Sequence, residues 1–165
     1  MPETRTRPND QLLRTVGRVL EPARLITTRV HVVAPRFASV GVRIALVIGN
    51  GVVATAVQRA AIAALEKFFD PLEGGPDGSG WPFGRAVYVS EIYQILTRVP
   101  GVQSVARTVD LSTDRSFDEL VLAATDAGRM IRNRSGELEA VALQPDELVA
   151  LRLDPAEIQV RRTDL

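Results

Sequence analysis

Asp70-Pro71-Leu72-Glu73-Gly74-Gly75-Pro76-Asp77-Gly78-Ser79-Gly80-Trp81-Pro82-Phe83-Gly84-Arg85 is the stretch on which the reading of this chain turns. It holds five of the twelve glycines and the only tryptophan. Its first half can only make turns, because glycine takes backbone angles that other residues avoid and proline removes a donor. Its second half, Trp81-Pro82-Phe83, is bulky and apolar. A loop that is both turn-rich and aromatic is expected to fold down onto the domain. The spacing predicts Gly74, Gly75, Pro76, Asp77, Gly78 and Gly80 as the turning half of a structural clasp. Trp81, Pro82 and Phe83 are its plug, with Gly84 beside them, and Arg85 reaches a partner protein or a nearby carboxylate.

Outward from the loop, two helices flank it. Before it, Val53, Val57, Ala60, Ala61, Ala64, Leu65 and Phe68 form an apolar stripe that predicts a helix over 53–69, stopped by Asp70-Pro71. After it, Ala86-Val87-Tyr88-Val89 extends briefly. Ser90 is the expected cap of a short helix carrying Ile92, Tyr93, Ile95, Leu96 and Val99, ended by Pro100-Gly101. Further upstream, Val40, Val42, Ile44, Leu46 and Ile48 alternate with mixed neighbours over 39–48, which predicts a strand with one apolar face. Gly49-Asn50-Gly51 is a turn. Leu25-Ile26-Thr27-Thr28-Arg29-Val30-His31-Val32-Val33 is rich in β-branched residues and reads as another strand. Leu12, Leu13, Val16, Val19 and Leu20 recur at helical steps after Asp10, the expected N-cap. Residues 1–9 read as a disordered lead.

Downstream, 102–111 reads as a third strand. Residues 112–138 form an irregular insert. In it Ser116-Phe117-Asp118-Glu119 matches a capping box and favours a helix to Ala124, while Leu120-Val121-Leu122-Ala123-Ala124-Thr125 equally fits a strand. We read the insert as irregular hairpins. Residues 139–143 and 157–161 are strands, with Ile158 and Val160 facing in, and 144–148 is a turn. This order predicts an α+β domain over 10–165: a mixed or antiparallel sheet, two main helices on one face and an N-terminal helix.

Composition narrows the chemistry. Twenty basic and twenty acidic residues cancel, which speaks against a nucleic-acid module. Lys67 is the only lysine. With no cysteine, disulfides and thiolate chemistry are excluded. No apolar run approaches the ~18 residues of a membrane span. The polar start of the chain lacks the apolar centre of a secretory signal, so synthesis and folding are expected in the cytoplasm.

The loop fails the tests for a ligand site. It has no Gly-Lys-Ser/Thr ending, no Gly-x-Gly-x-x-Gly after a strand, and it follows a helix. Asp70, Glu73, Asp77 and Ser79 do not follow the calcium-loop ladder. His31 stands alone in a strand pattern. Asp114, Asp118 and Glu119 read as a solvated turn, and Arg129, Arg132 and Arg134 as a solvated hairpin edge or a protein contact. No catalytic residue, cofactor or metal ligand is predicted, and an enzyme is not expected.

The stretch 65–93 resembles the C-terminal part of baseplate J-like proteins. The likeness rests on Gly74-Gly75-Pro76-Asp77-Gly78, Gly80-Trp81-Pro82-Phe83-Gly84-Arg85, Val87-Tyr88 and Ser90-Glu91-Ile92-Tyr93. Residues 20–36, Val99-Pro100-Gly101-Val102 and Leu143-Gln144-Pro145-Asp146-Glu147-Leu148 agree with it, so that it covers about 12–160. Members of that family are several times longer, which makes this chain a fragment, a truncated product or a split subunit in expectation. The resemblance implies a structural wedge component of a contractile phage tail, tailocin or extracellular injection system. Its partners would be other wedge subunits, the spike hub, sheath and tube, in a symmetric ring without nucleic acid, membrane or cofactor. Such a protein would assemble in the cytoplasm and end in a phage tail-like particle. The alternative is a small ligand-binding or catalytic domain that uses residues 70–85 as a lid.

Overall fold

Val40, Val42, Ile44, Leu46 and Ile48, the alternating apolar residues, are all at most 2% exposed and form the centre of the core. The structure is a computed structural model, and it describes residues 8–106, 109–110, 115–116, 120–122 and 127–162. The single strand predicted over 39–48 is two, β1 (Arg36–Val42) and β2 (Ile44–Ile48), broken at Arg43. The Arg43 guanidinium forks onto the carboxylate of Glu157 at this break, Nη2 reaching Oε1 at 3.1 Å.

The break sends the two strands into different ladders. β1 lies between β10 (Glu147–Arg152), parallel, and β7 (Leu120–Leu122), antiparallel. β2 lies between β11 (Ile158–Arg162), parallel, and β4 (Val102–Ala106), antiparallel. The C-terminal strands therefore return to the first two, Glu147 opposite Arg36 and Ile158 opposite Ile44. A third ladder holds β3 (Val87–Tyr88), β9 (Leu138–Val141) and β8 (Met130–Arg132), and β5 (Val109–Asp110) pairs with β6 (Arg115–Ser116). Mixed sheets with helices fit the α+β class.

β10 is absent from the sequence reading, which places 144–148 in a turn. Leu148, Val149 and Ala150 are all buried. A parallel strand covered on both faces shows a continuous apolar run, not alternation. In the insert, the strand alternative holds for 120–122, where β7 pairs with β1. The capping-box residues 117–119, and with them the acidic cluster of Asp114, Asp118 and Glu119, lie outside the described residues. So do 1–7 of the lead and 107, 108 and 111 of the third strand.

Helix α1 (Asp10–Leu20) is capped by Asn9, whose Oδ1 accepts the Leu12 amide at 2.8 Å; Asp10, the predicted cap, is the first helical residue. Helix α2 (Ala54–Phe68) buries Val57, Ala61 and Leu65. Val53 and Ala60, also assigned to its stripe, are exposed. The buried line steps strictly by four, so Ala60 falls beside it, and Val53 precedes the first turn. Helix α3 (Val89–Thr97) buries Val89, Ile92 and Leu96. It starts before Ser90, with Tyr88 in the cap position and no side-chain cap, because the strand β3 runs directly into it.

The largest correction concerns 25–33. No strand forms there. The segment makes a turn closed by the Thr28 amide on the Leu25 carbonyl at 2.9 Å. Strand propensity reflects packing against neighbours on a pleated surface, and among the described residues this segment has no neighbouring strand.

Candidate functional site

The clasp starts where α2 ends. Phe68 and Phe69 close the helix, and the Asp70 carboxylate then accepts the amides of Leu72 and Glu73, each at 2.8 Å. This Asx turn reverses the chain. The Gly74 amide reaches the Asp70 carbonyl at 2.9 Å and the Gly75 amide the Phe68 carbonyl at 2.7 Å, so the loop seals the helix C-terminus. A Cβ on Gly74 would stand 2.5 Å from the Asp70 carbonyl oxygen. Only glycine fits there, because the obstacle is backbone. The chain leaving the loop is tied back by the Gly80 amide on the Gly74 carbonyl at 2.9 Å and the Trp81 amide on the Pro71 carbonyl at 3.2 Å.

These bonds seat Trp81 in the core at 3% exposure. Its ring stacks on Phe69 with centroids 5.2 Å apart and 25° between planes. Phe68 meets it edge-on at 5.4 Å and 88°. Both geometries suit the aromatic quadrupole. The indole N–H donates to the Arg85 carbonyl at 3.3 Å, so the one polar atom of the ring is satisfied.

Arg85 covers the assembly. Its guanidinium lies 5.2 Å from the Trp81 centroid and 5.7 Å from that of Tyr88. It also forks onto Glu91 of α3, Nη1 to Oε2 at 3.0 Å, with Nη2 on Oε1. The hydrogen bond with Glu91 raises the Arg85 pKa above its ordinary value, although burial works against it. The carboxylate contact, one of the two roles the sequence leaves open for Arg85, is present, with Glu91.

The predicted plug is smaller than expected. Trp81 alone is buried; Pro82 and Phe83 are exposed, Phe83 at 58%. The backbone turns between Pro82 and Arg85, whose carbonyl and amide bond at 3.3 Å, and this points Phe83 outward. Pro76, Asp77 and Gly78 form the exposed tip.

A second anchor joins the loop to β10. The Gly84 amide donates to the Glu147 carbonyl at 3.0 Å. Gly84 holds φ +68°, and a Cβ there would come 2.9 Å from the Pro145 Cα. Glu147 is the one buried charged residue among those described, at 3% exposure. Arg129 grips its carboxylate with both Nη atoms, one of them at 3.0 Å. The Gln144 amide donates to it at 2.8 Å, and Arg36 Nη2 stands 3.5 Å away. Foremost the hydrogen bonds from Arg129 hold the carboxyl at about 2, well below the usual 4.5, with burial opposing them.

Sequence reasoning passes over Glu147 and groups Arg129 with Arg132 and Arg134. The three arginines part company: Arg132 and Arg134 are exposed, whereas Arg129, the residue before β8, pairs with Glu147 of β10. The available signal was the acid standing directly before the apolar run of β10. His31 is exposed. Asp70 is occupied by backbone amides. Among the described residues no group of three His, Cys, Asp or Glu side chains is placed to hold a metal ion. What the arrangement does physically is fix α2, α3 and β10 to one another. No known protein-family profile matches the chain, and no curated protein matches it.

Proposed function

We propose that this chain is a structural component of a contractile tail or injection system: the C-terminal domain of a baseplate wedge subunit. It joins wedge neighbours, spike hub, sheath and tube through protein contacts and turns over no small molecule. The observation that carries this reading is the closed state of the Gly/Trp loop. Trp81 is sealed between Phe68, Phe69 and Arg85 and tied by backbone hydrogen bonds on both sides. A lid must open at small cost, and this loop is part of the core. The Gly80-Trp81-Pro82-Phe83-Gly84-Arg85 run, on which the resemblance to baseplate J-like proteins rests, is the segment that makes the seal.

Among the described residues no helix is long and apolar enough to cross a membrane. The wedge reading places the protein in the cytoplasm during assembly and in a tail-like particle afterwards. Affinity purification of the tagged chain from its native host tests the reading. Recovery with sheath, tube and spike proteins is the expected result. A free chain, with contractile particles intact in its absence, overturns it. Titration of Trp81 fluorescence with nucleotides, sugars and divalent metals separates the lid alternative, which requires a saturable response.

A further inference from the structure

The chain has three asparagines, Asn9, Asn50 and Asn133, and the fold treats them differently. Asn9 caps α1, its Oδ1 accepting the Leu12 amide at 2.8 Å. Asn133 is held at both ends of its amide. Its Oδ1 accepts the backbone amides of Ser135 at 2.9 Å and Glu137 at 3.0 Å, and its Nδ2 donates to Glu137 Oε2 at 2.9 Å. Asn50 is exposed, and among the described residues its side-chain amide makes no hydrogen bond.

The following residues sharpen the contrast. Gly51 has no side chain to shield its nitrogen, and a Cβ built there would meet nothing within 4 Å. Among the described residues its amide donates to no backbone carbonyl. The turn holding Asn50 and Gly51, between β2 and α2, is closed by the Val52 amide on the Gly49 carbonyl at 3.4 Å, longer than such bonds usually are. A turn so closed opens at small cost, and rotation about the Asn50 backbone then brings the Gly51 nitrogen onto the side-chain carbon. At the other two sites the next residues are Asp10 and Arg134. Their side chains crowd the nitrogen, and the same rotation would first break the bonds that hold Asn9 and Asn133.

We propose that Asn50 is a site of spontaneous covalent modification, in which the folded protein loses this side-chain amide. The Gly51 nitrogen attacks Cγ of Asn50. A carbon–nitrogen bond forms and closes a cyclic imide. The bond from Cγ to Nδ2 breaks, and Nδ2 leaves as ammonia, taking with it the proton of the Gly51 amide. Water then opens the imide at one carbonyl or the other, which leaves aspartate or isoaspartate at position 50. Each product adds a negative charge ahead of α2, whose first turn holds no acidic residue and whose N-cap Val53 supplies no side-chain bond. Negative charge is favourable there, so the aspartyl form keeps the fold. The isoaspartyl form adds a methylene to the main chain between β2 and α2 and puts the bond from Val52 to Gly49 out of register. The proposal stands independently of the wedge reading.

Incubation of the folded protein in heavy-oxygen water at mildly alkaline pH, followed by peptide mapping, tests it. The peptide spanning Asn50 is expected to take up heavy oxygen and to separate into two products of equal mass. The peptides carrying Asn9 and Asn133 should convert at least ~tenfold more slowly, since their reacting atoms are held apart. Gly51→Ala, with a melting curve as the check on its fold, should slow conversion at Asn50 by a similar factor. Equal rates at the three sites, or conversion led by Asn9 or Asn133, overturn the proposal. So does an Asn50 that stays intact in the folded protein yet converts in denaturant, which would mean that the turn holds it. A single aspartyl product formed as fast in Gly51→Ala as in the parent also overturns it, because water would then attack the side chain directly.

Discussion

Residues 68–91 and residues 10–35 both carry a generous share of large apolar side chains, and they meet opposite fates. In the first region Phe69, Trp81, Val87 and Val89 are buried, and only Leu72, Phe83 and Tyr88 among its large apolar residues are exposed. In the second, Leu12, Val16, Val19, Leu20, Leu25, Ile26, Val30 and Val33 are all exposed, and α1 buries no residue. The difference lies in the backbone. The clasp is tied at Gly74, Gly75, Gly80, Trp81 and Gly84 to carbonyls of α2, of the loop itself and of β10. The arm, residues 10–35, has a turn at Leu25 to Thr28 and then, among the described residues, no backbone–backbone bond until the Arg36 amide meets the Asp146 carbonyl at 3.3 Å. Apolar pattern sets what a segment can bury, and anchoring decides whether it does so within its own chain. An 11-residue helix is marginal in water by itself, so the arm is the region that gains most from a partner.

The strongest way to break this contrast is Trp81→Ala. Emptying a site enclosed by Phe68, Phe69 and Arg85 should cost about 3–5 kcal/mol in denaturant unfolding. A variant that melts like the parent but fails to assemble would make Trp81 an interface anchor.

Acid should act on the second anchor. Glu147 has its folded carboxyl lowered from 4.5 to about 2. Its contribution is therefore complete above about pH 4.5 and lost as pH falls through 2. It amounts to about 3 kcal/mol. Glu147→Gln should remove most of that pH dependence, measured as unfolding free energy between pH 6 and 2.5, and should lower stability at neutral pH.

A smaller effect is expected from Gly74→Ala, where the new methyl meets the Asp70 backbone. Displacing it should cost about 1–3 kcal/mol. The smallest belongs to the arm: Val19→Ser, at a position 70% exposed, should shift the stability of the dilute monomer by no more than about 0.5 kcal/mol. A larger loss there would mean that α1 packs on its own domain.

The parts of the fold legible in the sequence are those whose cause is local. Val40 to Ile48 alternate, and the core follows. Asp70-Pro71 and the glycines enforce turns whatever surrounds them, so the clasp is readable. The unread parts depend on distant partners. β10 shows no alternation because it is covered on both faces, and its partner β1 begins at Arg36. Segment 25–33 has strand residues, but a strand exists only beside another. Glu147 looks like a surface acid in a turn, and its burial follows from Arg129 and Arg36, which topology alone brings to it. Phe83 departs from its expected burial for a related reason: the turn from Pro82 to Arg85 fixes its direction, and residue type does not.

The central claim is that the Gly/Trp loop is a fixed part of the core. Native-state hydrogen exchange on the dilute protein tests it most directly. The account predicts that the amides of Gly75, Gly80, Trp81 and Gly84 exchange only through openings close in free energy to global unfolding, while those of residues 29–34 exchange almost unprotected. Rapid exchange at Gly80, Trp81 and Gly84, comparable to that of the arm, would contradict it and return the loop to the status of a lid.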